Sequence, residues 1–394
     1  MKRVLFAWEM GANLGHLTRD LPLARQCRDA GDQVYMAVSD LRTAEELLGE
    51  EGFTLLQAPR LTPLRNLPSP INFASMLLQQ GFADWAGLNG AIKGWLGLIN
   101  LIQPDAMVYD HAPTALVAAR MADIPILVMG TGFEIPPFTV PLPSFRPWQA
   151  IPPAAHASDE QCLVQQINRL LSTADKPTLT QLADLYRPSP ILLTTIAELD
   201  PFGARPGMDY IGPLYALPAT PPVSWQQTDR PHIVAYLRPT LAAVENVLAA
   251  LQNTQAEVIC AMPGLPSDWV ARYPALRFYP HPVDLSVLLP QAQLMICTGA
   301  SSITTALQAG VPVLHLPEVT EQLLTGMALE RQGAGRMATQ PRTEEQLQVD
   351  IKTLLEAESM ANQAKETFNK YLTAENSNKP FKQLNQLIAK SKAA

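Results

Sequence analysis

Apolar residues fall along this chain in two alternating rhythms. Short, almost uninterrupted apolar runs (Val4–Trp8, Gln33–Val38, Ile124–Met129, and the stretch 104–110 ending in Asp110) are each bounded by turn-forming residues. Runs this short and this uniformly apolar predict strands buried on both faces. Between them lie longer stretches with apolar residues at helical spacing. Leu17, Leu21 and Ala24 mark one over Arg19–Ala30, closed by Gly31; Pro22 is compatible with it if the helix begins near Asp20, which can cap it. Thr114–Ala122, Asp159–Ser172 and Thr178–Tyr186 also read as helices, and Phe73–Leu101 has mixed helical periodicity. Pro59–Pro70 has no period and reads as a loop. Strand, helix and strand in succession predict parallel sheets with helical crossovers, an α/β fold.

The series then repeats. After the strand Ile191–Thr195 comes the tract Ala216–Arg230, with Pro218, Pro221 and Pro222, which predicts a linker and hinge. Strands follow at His232–Leu237, Glu257–Met262, Arg277–Tyr279, Leu294–Cys297 and Val311–Leu316. Helices are predicted at Leu241–Leu251, at Ile303–Ala309 up to Gly310, from Thr320 to Gly333, and at Thr343–Glu358. Residues 359–394 read as helical and lysine-containing. The expected organisation is two Rossmann-like domains, residues 1–214 and 215–372, and a helical tail, 373–394, that crosses back to the first domain or lies free.

Length and composition narrow the function classes. The 394 residues fit two or three domains, and 47% hydrophobic content supplies their cores. A net charge of −7 offers no basic field for nucleic acid. The four cysteines are scattered with no CxxC pair, which points to a reducing compartment. The six histidines show neither HxxxH nor HExxH spacing, so no protein-ligated metal is expected. Glu9 interrupts the apolar start too early for a signal peptide, and no apolar run approaches the roughly 18–20 residues of a membrane span. A soluble, cytoplasmic protein is expected. The lysines of the tail read as a solvated helix face or as a peripheral contact to an anionic membrane.

Candidate chemistry gathers where strands end. The turn Thr298, Gly299, Ala300, Ser301, Ser302 leads from a buried strand into a helix, where Gly299 would allow a tight turn. Free N–H groups and a positive dipole end there suit a phosphate. Gly15 and His16 follow the first strand, and Asp110 ends another in the same predicted sheet. An imidazole of near-neutral pKa can take a hydroxyl proton, and a carboxylate on its other nitrogen fixes the tautomer. Arg238 and Thr240 follow the strand that opens the second domain, and Arg238 can pair with a phosphate or lie on the surface. The loop from Thr131 to Pro153 carries Phe133, Phe138, Phe145 and Trp148 among prolines, and reads equally as a wall of an apolar acceptor pocket or as a loop packed on the core.

These motifs, in this order, resemble the GT-B glycosyltransferases: the family 1 UDP-glycosyltransferases and the bacterial lipid-linked GlcNAc transferase of peptidoglycan synthesis. The segment GVPVLHLP followed by Glu321 and Gln322 is similar to the family's "G-[VL]-P…P…[DE]-Q". Thr298-Gly299-Ala300 resembles its donor-phosphate turn, residues 4–38 its acceptor-domain start, 104–130 its "PDxVxxD" block, and 191–213 its run into the linker. The resemblance implies two domains facing across a cleft. It implies His16 as base held by Asp110, an acceptor near Gly15 and Phe133, diphosphate at Thr298–Ser302, sugar hydroxyls at Glu321 and Gln322, and nucleobase contacts from His281 to Val283. It implies no cofactor, a UDP- or dTDP-sugar as donor substrate, and an acceptor hydroxyl on an apolar or lipid-linked molecule. Two positions depart from the pattern: Cys297 stands where family 1 has a phosphate-binding His, and Thr305 where it has a ribose-binding Glu. They leave the nucleotide open and keep two alternatives in play, a nucleotide-sugar epimerase or hydrolase on the same fold and a non-catalytic binding module.

Overall fold

The computed structural model describes residues 1–11, 14–217, 221–226, 229–339, 342–368 and 374–393. Ala12 and Asn13 of the glycine loop, Pro218 of the linker, Lys370 and the expected tail boundary at 372/373 lie outside the described residues.

The described strands form two wholly parallel sheets. In the first, β1 (Arg3–Trp8), β2 (Gln33–Val38), β3 (Thr54–Gln57), β4 (Ala106–Asp110), β5 (Ile126–Gly130), β6 (Ile191–Leu193) and β7 (Asp209–Tyr210) lie in the order β3-β2-β1-β4-β5-β6-β7. In the second, β8 (His232–Tyr236), β9 (Glu257–Ala261), β10 (Leu276–Tyr279), β11 (Leu294–Cys297), β12 (Val313–His315) and β13 (Gly335–Met337) lie in the order β10-β9-β8-β11-β12-β13. The central strands are buried along almost their whole length, as short unbroken apolar runs require. In each sheet the chain moves outward from a central strand, returns, and continues on the other side. The reversal falls between β1 and β4 in one and between β8 and β11 in the other. At such a point neighbouring crossovers diverge and leave a crevice at the carboxyl ends of the strands.

The first helix departs from its sequence reading. It starts at Gly15, not near Asp20, and runs through Pro22 to Asp29. Proline at that position deprives the Thr18 carbonyl of its helical partner. The backbone N–H of Ala216 takes its place at 3.0 Å, so a later segment repairs the break. The earlier start brings His16 and Arg19 onto the helix, one turn apart. The stretch Thr178–Tyr186 is helical only over Ala183–Tyr186, because the Asp184 carboxylate accepts from the N–H groups of Thr180 and Gln181 and holds them in a turn.

The chain divides into two compact units, with one exchange that the linear reading does not contain and one that it offered as an option. Residues 195–204 belong to the second unit, although they precede the linker. There Ile196 and Leu199 are buried with Val283, Leu288 and Phe368. The helix Ala374–Ala393 belongs to the first unit. Its Leu384 and Ile388 are buried with Leu17 and Leu21, and Lys379 and Lys392 meet Asp209 and Asp105 at 2.6 and 2.8 Å. No helix among the described residues is long and apolar enough to cross a membrane.

Gly335 opens β13, and a Cβ there would stand 2.3 Å from the Val313 carbonyl oxygen of β12. Backbone cannot yield as a flexible side chain can. Gly335→Ala is therefore expected to lower stability by about 1–3 kcal/mol, read from thermal or urea unfolding. Gly90→Ala, an exposed helical position with nothing within 4 Å of the added Cβ, is the control and is expected to be neutral or slightly stabilising.

Candidate active site

The strand reversal in the first unit places the end of β1 beside the end of β4, with Trp8 in register with Asp110. The helix that follows β1 then carries His16 over that end. Its Nδ1 lies 2.9 Å from Asp110 Oδ1. An ionised carboxylate only accepts, so Nδ1 carries the proton and donates, leaving Nε2 with the free electron pair. Trp8 stacks on the imidazole, ring centroids 5.2 Å apart. Gly11 approaches the other edge in the left-handed region (φ 87°), and a Cβ on it would stand 2.6 Å from Nε2. The His16 side chain is 12% exposed while Asp110 is wholly buried, so the pair opens only through the imidazole.

Asp110 is not a simple partner to His16. Arg19, one turn along the helix, is 4% exposed and grips it with two N–H groups, Nε to Oδ2 at 3.0 Å and Nη2 to Oδ1. The remaining face of the guanidinium meets Glu134 Oε1 at 3.2 Å from both Nη1 and Nη2. Arg19 Nη2 also lies 2.9 Å from His16 Nδ1, but two donors cannot share that contact, and Asp110 takes it. Burial pushes the carboxyls of Asp110 and Glu134 up, but the Arg19 charge and then that of His16 outweigh it. Both are held below the carboxylate range, Glu134 at about 2. Buried Asp20 shows the opposite balance: burial, then repulsion from Asp110, raises its carboxyl well above the ordinary value. His111, next to Asp110 and itself in the left-handed region, is pushed by burial down to about 4 and stays neutral.

Glu134 is held as firmly as it is buried. Thr131 Oγ1 donates to its Oε2, Tyr109 Oη donates to its carbonyl at 2.9 Å, and Arg205 grips the carbonyls of Gly132 and Ile135 on either side. Arg19 and Glu134 were not among the residues singled out from sequence. The one legible signal for Arg19 is its i+3 spacing from His16, and Glu134 stands in the loop read for its aromatics. Of those aromatics, Phe133 is 5% exposed and stacks on Phe145 at 5.1 Å, so it is a core residue and not an open pocket wall. Gly15 opens the helix, and its carbonyl accepts from Thr18 Oγ1 at 3.2 Å. His16, Asp110 and Glu134 present ligand atoms within 4.8 Å of one another, but Arg19 already binds both carboxylates there, so a cation would face a fixed positive charge.

In the second unit the reversal brings the end of β8, followed by Arg238, beside the end of β11, followed by Thr298–Ser302. The helix Ala300–Gln308 begins there with no side chain capping it, so its first N–H groups point outward from the turn. Gly299 itself has ordinary extended geometry (φ −97°), and an added Cβ would meet nothing nearer than Ser302 Oγ at 3.9 Å. The turn therefore does not need glycine for its own shape, contrary to the sequence reading. The Thr305 hydroxyl is bound to the Ser301 carbonyl at 2.8 Å, and Cys297 is fully buried with its thiol pushed up by that burial. Glu321 stands half-buried in the first turn of the helix Thr320–Arg331. Gln322 is 7% exposed, and its Oε1 accepts from the N–H groups of Glu318 at 2.7 Å and Val319 at 3.4 Å, which turns the amide back onto the helix start. His281 Nδ1 lies 3.0 Å from the Pro282 carbonyl, and Val283 is fully buried, leaving only its backbone to meet a ligand.

No family model matches the chain. A PGL/p-HBAD biosynthesis glycosyltransferase of Mycobacterium tuberculosis is 29% identical over 358 residues, covering 85% of this chain and 80% of that one. A PGL/p-HBAD biosynthesis rhamnosyltransferase of Mycobacterium bovis is 27% identical over 379 residues, covering 88% and 78%. Among solved structures, the glycosyltransferase VinC in complex with dTDP superimposes over 100% of both chains with a TM-score of 0.69 at 15% identity, a likeness of fold.

After β1, Glu9 closes the start of the helix Pro113–Met121. Its carboxylate accepts from Thr114 N at 2.5 Å, Ala115 N at 3.1 Å and the Thr114 hydroxyl. Burial nevertheless dominates those hydrogen bonds and raises it from 4.5 to about 7. The folded chain thus binds a proton here that the unfolded chain has released, so this group's contribution is complete below about pH 4 and is lost as pH rises to about 7. Glu9→Gln, which keeps the shape without the charge, is expected to be more stable than the native protein at pH 8, by on the order of 3 kcal/mol, and nearly equal at pH 5. Urea unfolding at the two pH values checks this; a variant less stable at pH 8 would show that the hydrogen bonds outweigh burial.

Proposed function

We propose that this chain, a glycosyltransferase of GT-B fold, moves a sugar from a UDP- or dTDP-activated donor to an acceptor hydroxyl with His16 as the base. The observation that carries this reading is the 2.9 Å contact of His16 Nδ1 with Asp110, which leaves Nε2 as the accepting nitrogen. The acceptor O–H gives its proton to Nε2 while its oxygen bonds to the anomeric carbon. The bond from that carbon to the diphosphate oxygen breaks on the opposite face, and the nucleoside diphosphate leaves with the electron pair. One displacement inverts the anomeric centre and requires no covalent intermediate. The developing charge on the diphosphate is met by the N–H groups at the start of the helix Ala300–Gln308, with Arg238 as a further cation on the adjacent strand end.

The two units divide the substrates. The donor belongs to the second, where backbone N–H groups take the phosphates and Glu321, in the first turn of the helix Thr320–Arg331, stands at the position that the family resemblance gives to sugar hydroxyls. The acceptor belongs to the first. A cavity of about 70 Å³ there is lined by Met10, Gly11, Arg60, Leu61, Gln80 and Phe82, and Gly11 is the neighbour that it shares with His16 Nε2. Arg60 and Gln80 give it polar groups, which favours an acceptor with polar groups close to its reacting hydroxyl.

His16→Ala is expected to lower transfer by about 10²–10⁴ while donor affinity stays unchanged. Asp110→Asn should cost a comparable factor or less, and the double variant no more than His16→Ala alone, since the two act as one unit. Transfer left intact in His16→Ala would remove the imidazole from the mechanism. A native protein that binds nucleotide sugar but transfers to no acceptor in a broad panel would point to a binding module instead.

The second unit offers an independent check. The turn tolerates a Cβ at position 299. Gly299→Ala should therefore leave the melting temperature unchanged while nucleoside diphosphate binding weakens, measured by calorimetry. Equal affinity in the variant would move the phosphates away from this turn.

A further inference from the structure

We infer that Glu134 is a positioning residue for transfer, supplying the counter-charge that lets His16 hold the proton it takes from the acceptor. The inference rests on the reading of His16 as base. In a simple dyad the carboxylate on Nδ1 neutralises the imidazolium that forms on Nε2. Here the Asp110 charge is already matched, because Arg19 binds both of its oxygens and is 4% exposed. An Arg19–Asp110 pair taken alone is neutral, and a proton arriving on His16 would leave a buried positive charge without a partner. Glu134 alters that balance. It shares the same guanidinium through contacts of 3.2 Å, and it is 3% exposed. Two carboxylates and one guanidinium leave the cluster one negative charge in excess while His16 is neutral. Protonation of His16 brings the sum to zero. In a site from which water is excluded, that change of sum governs the cost of moving the proton.

The other groups around the imidazole do not supply the charge. Trp8 stacks on it from β1 and carries none. His111, 6.0 Å away from the end of β4, stays neutral at physiological pH. Asp20, next to Arg19 on the same helix, has its carboxyl raised by burial and by Asp110. Glu134 is held in place independently of His16, by Thr131, by Tyr109 through its carbonyl, and by Arg205 through the flanking carbonyls. The backbone is therefore fixed whether or not the side chain is charged, and the charge can be removed without removing the loop.

The experiment follows the His16 ring signals by NMR across pH in the native chain, in Glu134→Gln and in Glu134→Asp, alongside the pH profile of transfer. In Glu134→Gln the midpoint of His16 protonation is expected to fall by about one unit or more relative to the native chain. The acid limb of the transfer profile should move down with it, and the plateau rate should drop by about tenfold as the base weakens. Glu134→Asp, which keeps the charge, should return the midpoint toward the native value; a purely structural role would make the two variants alike. A midpoint unchanged in Glu134→Gln overturns the inference. Should Glu134→Gln fail to fold, Glu134→Ser, which removes the charge and leaves the backbone contacts of the loop, is read in its place: a fall of the midpoint by about one unit or more upholds the inference, and an unchanged midpoint overturns it. A midpoint that shifts as expected in a protein whose transfer survives His16→Ala would uphold the charge balance and reject the base.

Discussion

The rest of this structure depends on where the order of strands in each parallel sheet reverses. Every described pairing is parallel, so each strand needs a crossover, and each central strand has neighbours whose crossovers leave on different sides. In the first unit that strand is β1, and in the second it is β8. The loop after each central strand and the loop after its later-formed neighbour are left open at the carboxyl edge. His16 and Asp110 occupy one such place, Arg238 and Thr298–Ser302 the other. At these two points side chains and N–H groups can point outward without breaking a ladder.

The first of these points is electrically dense. A guanidinium and two carboxylates, each nearly or wholly without exposure, are costly to desolvate and remain only if each group is bound on several sides. Arg19 meets that condition through Asp110 and Glu134 together. Its place on the helix depends on a start at Gly15, and the start at Gly15 leaves Pro22 inside the helix. The unpartnered Thr18 carbonyl is then taken by Ala216, some two hundred residues later in the chain. A local violation of helix chemistry, a tertiary repair and a buried charge cluster are thus one arrangement. The same logic explains why the tail helix is embedded in the first unit: Leu384 and Ile388 complete the core against which the helix Gly15–Asp29 is packed.

Much of this was legible in the sequence, for a physical reason. Buried parallel strands must be short, apolar and bounded by turn residues, and β1, β2, β4, β5, β8, β9 and β11 each announce themselves that way. The pairing of His16 with Asp110 was implied by the family resemblance, and the adjacency of β1 and β4 accounts for it. What the sequence concealed depends on contacts distant along the chain. Pro22 argued for a later helix start because the partner that replaces its N–H is Ala216. Arg19 and Glu134 carried no signal of burial in the sequence, because each is tolerated in the interior only beside the other. For Phe133 the sequence left a pocket wall and inward packing equally open, since an aromatic in a proline-rich loop packs inward as readily as outward, and here it meets Phe145. Residues 195–204 carry no marker of the unit they join, since Ile196 and Leu199 would fit either core.

The second unit shows a different economy of polar groups. Three side chains that the family resemblance assigns to ligand are absent from it or turned inward: Cys297 is buried, the Thr305 hydroxyl is held by the Ser301 carbonyl, and the Gln322 oxygen is held by two backbone N–H groups. The Thr305 bond lies within the helix Ala300–Gln308, whereas the Gln322 bonds fix a loop. Gln322 ties down the turn before its helix, and His315, buried beneath, contacts the Cys297 carbonyl at 3.2 Å and the Gln322 carbonyl at 2.9 Å. The turn after β11 and the helix after β12 are thereby joined through one imidazole. Backbone geometry fixed in this way can recognise a phosphate by N–H groups alone, since those groups need only be held in direction.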